Sequence, residues 1–185
     1  MSGPQVVSVG AVQVGFTWLA DRFSHWIAVR EGAGWRRLLE SGEGEGEAPW
    51  PPSPALQELH VETRGDHCVV ALLVGRAGPA HWSLSLELTE LDVGASSLSY
   101  DLACRVGAAP GWLGSTYRLA QGVRAERAGE GLQLAWAGGC AELEFPHSQR
   151  QAHDGALVIE RVDDPRRWPA TVRWGFTLRA HRPNP

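Results

Sequence analysis

The side chains best suited to chemistry form one short stripe: Glu58, His60, Glu62 and Arg64, at every second position. On an extended strand, residues i and i+2 project from the same face about 7 Å apart. Two carboxylates flanking an imidazole raise its proton affinity and support acid–base work. The same row on a water-facing sheet would only solubilise it. A second stripe holds His81, Ser83, Ser85 and Glu87, a third Asp101 and Arg105, and a fourth Arg173, Thr177 and Arg179. Were these strands neighbours, one sheet face would gather His60, Glu62, His81, Asp101, Arg105 and Arg173. Guanidinium forks bind carboxylates and phosphates in bidentate fashion, and together with Glu, Asp and His they also suit sugar hydroxyls.

Nine tryptophans need a place. Trp18, Trp82, Trp136 and Trp174 keep step with buried aliphatic positions and are expected in the core; Trp35 is ambiguous. Trp26, Trp50, Trp112 and Trp168 break that phase. An exposed indole needs cover. Either these rings fold back to plug the ends of the domain, or Trp26, Trp50 and Trp112 offer planes on which a sugar stacks.

Composition removes other chemistries. All 17 basic residues are arginine, so catalysis through a lysine amine, as in Schiff-base, pyridoxal and P-loop enzymes, is excluded. Scarce Asn (only Asn184), Ile, Met (only Met1) and Tyr suggest a GC-rich, bacterial genome as the cause. A net charge of −4 argues against nucleic acid. The charge is unevenly placed. Residues 40–62 carry six acids, Glu45 and Glu47 among them, and residues 161–185 carry six Arg. There is no G-x-S-x-G elbow and no phosphate loop. His60, Glu62, His67, His147 and His153-Asp154 supply metal-ligand types without diagnostic spacing, so neither metal nor cofactor is expected. Cys68, Cys104 and Cys140 make no disulfide framework, and Cys68 and Cys104 read as small buried groups. His25 falls in phase with Phe23, Ile27 and Val29, as a core histidine would. With no signal-like N-terminus and no apolar run near 20 residues, a cytoplasmic protein away from membranes is expected.

The elements that must position these residues are strands. Alternation of period two dominates, and helical periodicity is nearly absent. Val12, Val14, Phe16 and Trp18 share one face; the phase shift before Gly10 suggests a bulge. Cys68–Val74 is apolar on both faces and is the candidate central strand. Residues 41–54, rich in Gly, Glu and Pro, read as a flexible surface loop unable to pack a core. About a dozen strands in one domain over 1–185 predict an all-β antiparallel sandwich, jelly-roll-like or mutarotase-like; a closed barrel is the alternative.

A sandwich with acidic, His and Arg side chains on one face is similar in general character to sugar mutarotases and epimerases, in which His and Glu shuttle protons on a pyranose. No motif matches them residue by residue, and the likeness is one of fold only. Three functions follow. The first is a non-catalytic binder of a saccharide or other small polar ligand, using Glu58, His60 and Arg173 with Trp26, Trp50 or Trp112. The second is an epimerase-like enzyme with His60 or His81 as acid/base, Glu62 or Asp101 as its partner, and Arg105 holding an anionic group. The third is an interaction module or homodimer anchored by exposed Trp.

Overall fold

The computed structural model describes residues 3–44, 48, 50–92, 94–153, 155–162 and 167–181; Met1, Glu45, Glu47, Asp154 and Asn184, named above, lie outside them. The described chain forms fifteen strands and no helix. In order they are β1 (Gln5–Val9), β2 (Val12–Leu19), β3 (Arg22–Glu31), β4 (Gly34–Ser41), β5 (Glu58–Thr63), β6 (Cys68–Ala77), β7 (Ala80–Asp92) and β8 (Ala95–Val106). There follow β9 (Gly114–Leu119), β10 (Arg124–Ala128), β11 (Gly131–Trp136), β12 (Gly139–Glu144), β13 (Ser148–His153), β14 (Ala156–Arg161) and β15 (Ala170–His181).

They build two antiparallel sheets. One has seven strands in the order β1-β2-β3-β4-β9-β14-β13; the other has eight, β10-β11-β12-β15-β8-β7-β6-β5. The sheets face each other as a β-sandwich and do not close, so the barrel alternative is corrected. The inward phase of each strand fills one core. Val12, Val14, Phe16, Ile27 and Leu39 come from the first sheet, and Leu73, Leu84, Leu86, Leu102 and Phe176 from the second. Trp82 and Trp174 meet edge to face at 5.9 Å in its interior.

Three local expectations are corrected. The phase change at Gly10 is the two-residue turn of the β1–β2 hairpin, Val9 pairing with Val12, and not a bulge. The candidate central strand, β6, is next to the edge, and β15 and β8 are more central. Its second apolar face points to solvent: Leu72 is 37% and Val74 46% exposed. Trp18 keeps the inward phase of β2, but the strand runs past the end of the core, leaving its ring 50% exposed against Phe23.

A bulge does occur, in β4. Ile27 pairs with Leu39 and Ala28 with Arg37, so Leu38 is the extra residue. Leu38 and Leu39 are both buried, and Arg37 and Glu40 thereby share the outer face at a spacing of three.

Residues 50–57 join the two sheets. Pro51, Ser53, Pro54, Ala55 and Leu56 are buried, although 41–54 was expected not to pack. Thr116 donates its N–H to Pro52, Phe23 to Leu56 (2.7 Å), and Gln57 to Val74 (2.8 Å), so one connecting segment bonds β9, β3 and β6. It fits because Gly75 has no side chain: a Cβ there would collide with the Ala55 carbonyl. Gly75→Ala is therefore expected to lower the urea-unfolding free energy by about 2 kcal/mol or more through overpacking. Gly107→Ala, where a Cβ meets nothing within 4 Å, should stay within about 0.5 kcal/mol of the parent. Equal stabilities for the two variants would contradict this packing.

Candidate functional site

The polar stripes lie on one face, the outer face of the eight-stranded sheet. Pairing registers place His60, Leu72, Ser85, Asp101 and Gly175 in one row, and Glu58, Val74, Ser83, Ala103 and Arg173 in the next. Glu62 lies in the row of Glu87, Ser99 and Thr177. His81 lies between Arg76 and Arg105. The face is exposed, and two of its arginines pair across strands: Arg173 with Asp101 at 3.8 Å and Arg179 with Glu144 at 3.4 Å. His60 and Asp101 are three strands apart, roughly 14 Å. His81 and Asp101 are four residues out of register, a similar distance. Neither pair can share a proton directly, which takes about 3 Å.

The stacking candidates lie elsewhere. Trp26 and Trp112 are on the outer face of the seven-stranded sheet, across the sandwich from Glu58, His60 and Glu62. Each rests on a glycine backbone, Trp26 on Gly15 and Trp112 on Gly114, where a Cβ would strike the ring. The Trp112 indole N–H is bonded to Glu160. Trp50 and Trp168 pack against the core, as plugs do. Trp136, half-buried at the core margin, donates to Glu31 at 2.6 Å.

Around Trp26 the seven-stranded sheet has a cleft of about 530 Å³. The β4 bulge brings the Arg37 guanidinium over the indole, 4.6 Å from its centre, and into a 3.0 Å ion pair with Glu40. Glu40 is opposite Arg118 of β9 and pairs with it as well, at 3.5 Å. Beyond the end of β4, Gly42 bonds the Thr116 carbonyl and turns Glu43 into the cleft wall. The Ser41 hydroxyl donates to Glu43 Oε1 at 2.6 Å, while Oε2 is buried without a hydrogen-bond partner among the described residues. Burial raises the Glu43 carboxyl above the usual carboxylate range, opposed by the Ser41 bond and the nearby Arg22 guanidinium. Arg22 is itself buried and doubly bonded to Asp21 at 2.9 Å. Its bond holds Asp21 below the ordinary carboxylate range.

Sequence reasoning missed Ser41, Glu43, Arg37 and Arg118. Glu43 sits in a Gly/Glu run that looks like solvated loop, and the bulge that aligns Arg37 with Glu40 has no period-two signature.

Behind the cleft, polar groups run through the core. The His25 N–H donates to Ser41 Oγ at 2.9 Å, and His25 Nε2 meets the Tyr117 hydroxyl at 3.0 Å. Tyr100 bonds Ser115 at 3.3 Å, and Ser115 accepts the Trp174 indole N–H at 2.9 Å. Burial pushes both tyrosines well above their ordinary range and Cys104 up to about 12, so none supplies an anion near neutrality.

Among the described residues, no three or more His, Cys, Asp or Glu side chains gather as metal ligands would. No helix there is long and apolar enough to cross a membrane. No protein-family model, curated protein or solved structure matches the chain.

His25 makes the stability of the fold depend on pH. Burial pushes its pKa down to about 4, against 6.5 in an exposed imidazole. Between those values the unfolded chain binds the proton and the folded one does not. The His25 contribution is thus complete above pH 6.5 and is lost as pH falls to 4, by on the order of 3 kcal/mol. Asp21 acts in the same direction and Glu43 in the opposite one, so the comparison must be with His25→Gln. Urea unfolding should show a flatter pH profile for that variant over this window; identical profiles would contradict a neutral, buried His25.

Proposed function

We propose that this protein is a binding β-sandwich whose ligand is a small polyhydroxylated molecule of monosaccharide size, held in the cleft beside Trp26. The observation that carries the reading is Glu43 Oε2 in a cleft wall, a buried carboxylate oxygen without a partner among the described residues. A buried acceptor left unmade costs about 1–3 kcal/mol, which a ligand hydroxyl would recover. The cleft volume of about 530 Å³ falls within the span of small-molecule sites. Glu40 is already neutralised by Arg37 and Arg118, and Arg22 lies near Glu43, which favours a neutral hydroxyl donor over a free cation.

Arg37 covers the ring, so stacking on Trp26 requires it to swing aside. Its side chain is more than half exposed, and the exposed cation–π contact and ion pair together hold it by about 1–2 kcal/mol. That is within the reach of a bound ligand. Of the residues expected from sequence to bind, Trp26 lines this cleft, with Ser41, Glu43 and Arg118 as its polar partners in place of Glu58, His60 and Arg173.

Saturation-transfer NMR with a panel of methyl hexosides and myo-inositol tests it. At least one member should bind, and Glu43→Ala should weaken it about tenfold or more, as expected for a lost bond to a charged group. Glu58→Ala and His60→Ala should leave its affinity unchanged. No transfer from any member, or equal affinity in Glu43→Ala, would refute the proposal.

A further inference from the structure

On the far side of the sandwich, one row across β6, β7 and β8 carries cationic groups with no carboxylate beside them among the described residues. Arg64, Arg124, Arg173 and Arg179 each have a carboxylate within 4 Å: Glu62, Glu126, Asp101 and Glu144 respectively. Arg76 and Arg105 have none among the described residues; the Arg76 side chain donates to the Gly78 carbonyl at 3.4 Å, and its backbone bonds Gln57. They flank His81 in register, Arg76 opposite it on β6 and Arg105 opposite it on β8, with Thr171 of β15 next in the row. Directly opposed residues on adjacent strands have Cβ atoms about 5 Å apart, where like charges repel. Three cationic or protonatable groups thus stand side by side with a hydroxyl at the end of the row and no anion.

The row also borders a concavity. His81 and Arg105 line a cleft of about 450 Å³ whose other walls include Pro79, Gly107 and Pro169. Guanidinium forks match the oxygens of a tetrahedral anion, and an imidazole beside them gives a further donor once protonated.

We infer that Arg76, His81 and Arg105 form an anion site for a phosphate group, either free phosphate or a phosphomonoester. An oxyanion there replaces mutual repulsion with charge-assisted hydrogen bonds. The site is separate from the Trp26 cleft, on the opposite face of the sandwich, and does not depend on the function proposed for it.

Titration of the intact protein with inorganic phosphate, and separately with methyl phosphate, tests this by NMR of the His81 imidazole and Arg side-chain N–H signals. Saturable shifts at His81 and Arg105 are expected with at least one of the two anions. Tighter binding of methyl phosphate would mark an esterified source, and tighter inorganic phosphate the free ion. The exposed double variant Arg76→Gln/Arg105→Gln should weaken binding at least tenfold. Arg173→Gln/Arg179→Gln, which removes equal charge from paired positions on the same face, should leave it within twofold. Shifts that do not saturate, or equal weakening in both double variants, would overturn the assignment.

Discussion

The structure depends on a single connecting segment, residues 50–57, hydrogen-bonded to both sheets. Two sheets packed only through side chains can slide. Here Leu56 accepts from Phe23 of one sheet while Gln57 donates to Val74 of the other, across the bare backbone of Gly75. At its other end, Pro52 accepts from Thr116, whose carbonyl takes the Gly42 N–H. Those bonds hold the chain on both sides of Glu43, so the cleft wall and the sheet alignment share one set of restraints. Buried backbone groups must be paired, and this segment reaches across the sandwich with those needs met.

The buried polar chain behind the cleft follows from the same geometry. Ser41, at the end of β4, accepts the His25 N–H and donates to Glu43, joining the core to the cleft wall through one hydroxyl. His25 is kept neutral by burial and reaches Tyr117, and the two tyrosines pack around Phe176. An interior of this kind is well specified only if its members are satisfied together.

The all-β sandwich was legible because period-two alternation depends only on which face of a strand is buried. Trp82, Trp174 and His25 follow that phase into the core. Phase alone does not say where a sheet ends, which is why Trp18 keeps the inward rhythm yet projects past the core. Nor does apolar character on both faces prove a central strand: Leu72 and Val74 face solvent near an edge. The site was less legible. The stripes do share one sheet face, but sequence cannot tell an outer face from a groove. Glu43 becomes unusual only because Gly42 and Pro52 anchor a segment whose composition looks like linker. Arg37 reaches Trp26 only because Leu38 is an extra residue in β4.

The most direct measurement is a map of amide and indole N–H shifts as a methyl hexoside that binds in the saccharide panel is added. Binding in the Trp26 cleft predicts the largest changes at the Trp26 indole N–H and the backbone of Ser41, Gly42, Glu43 and Arg118, with Trp112 and the β5 strand unmoved. Changes centred on His60, Glu62 and Asp101, or scattered over both sheets, would contradict it.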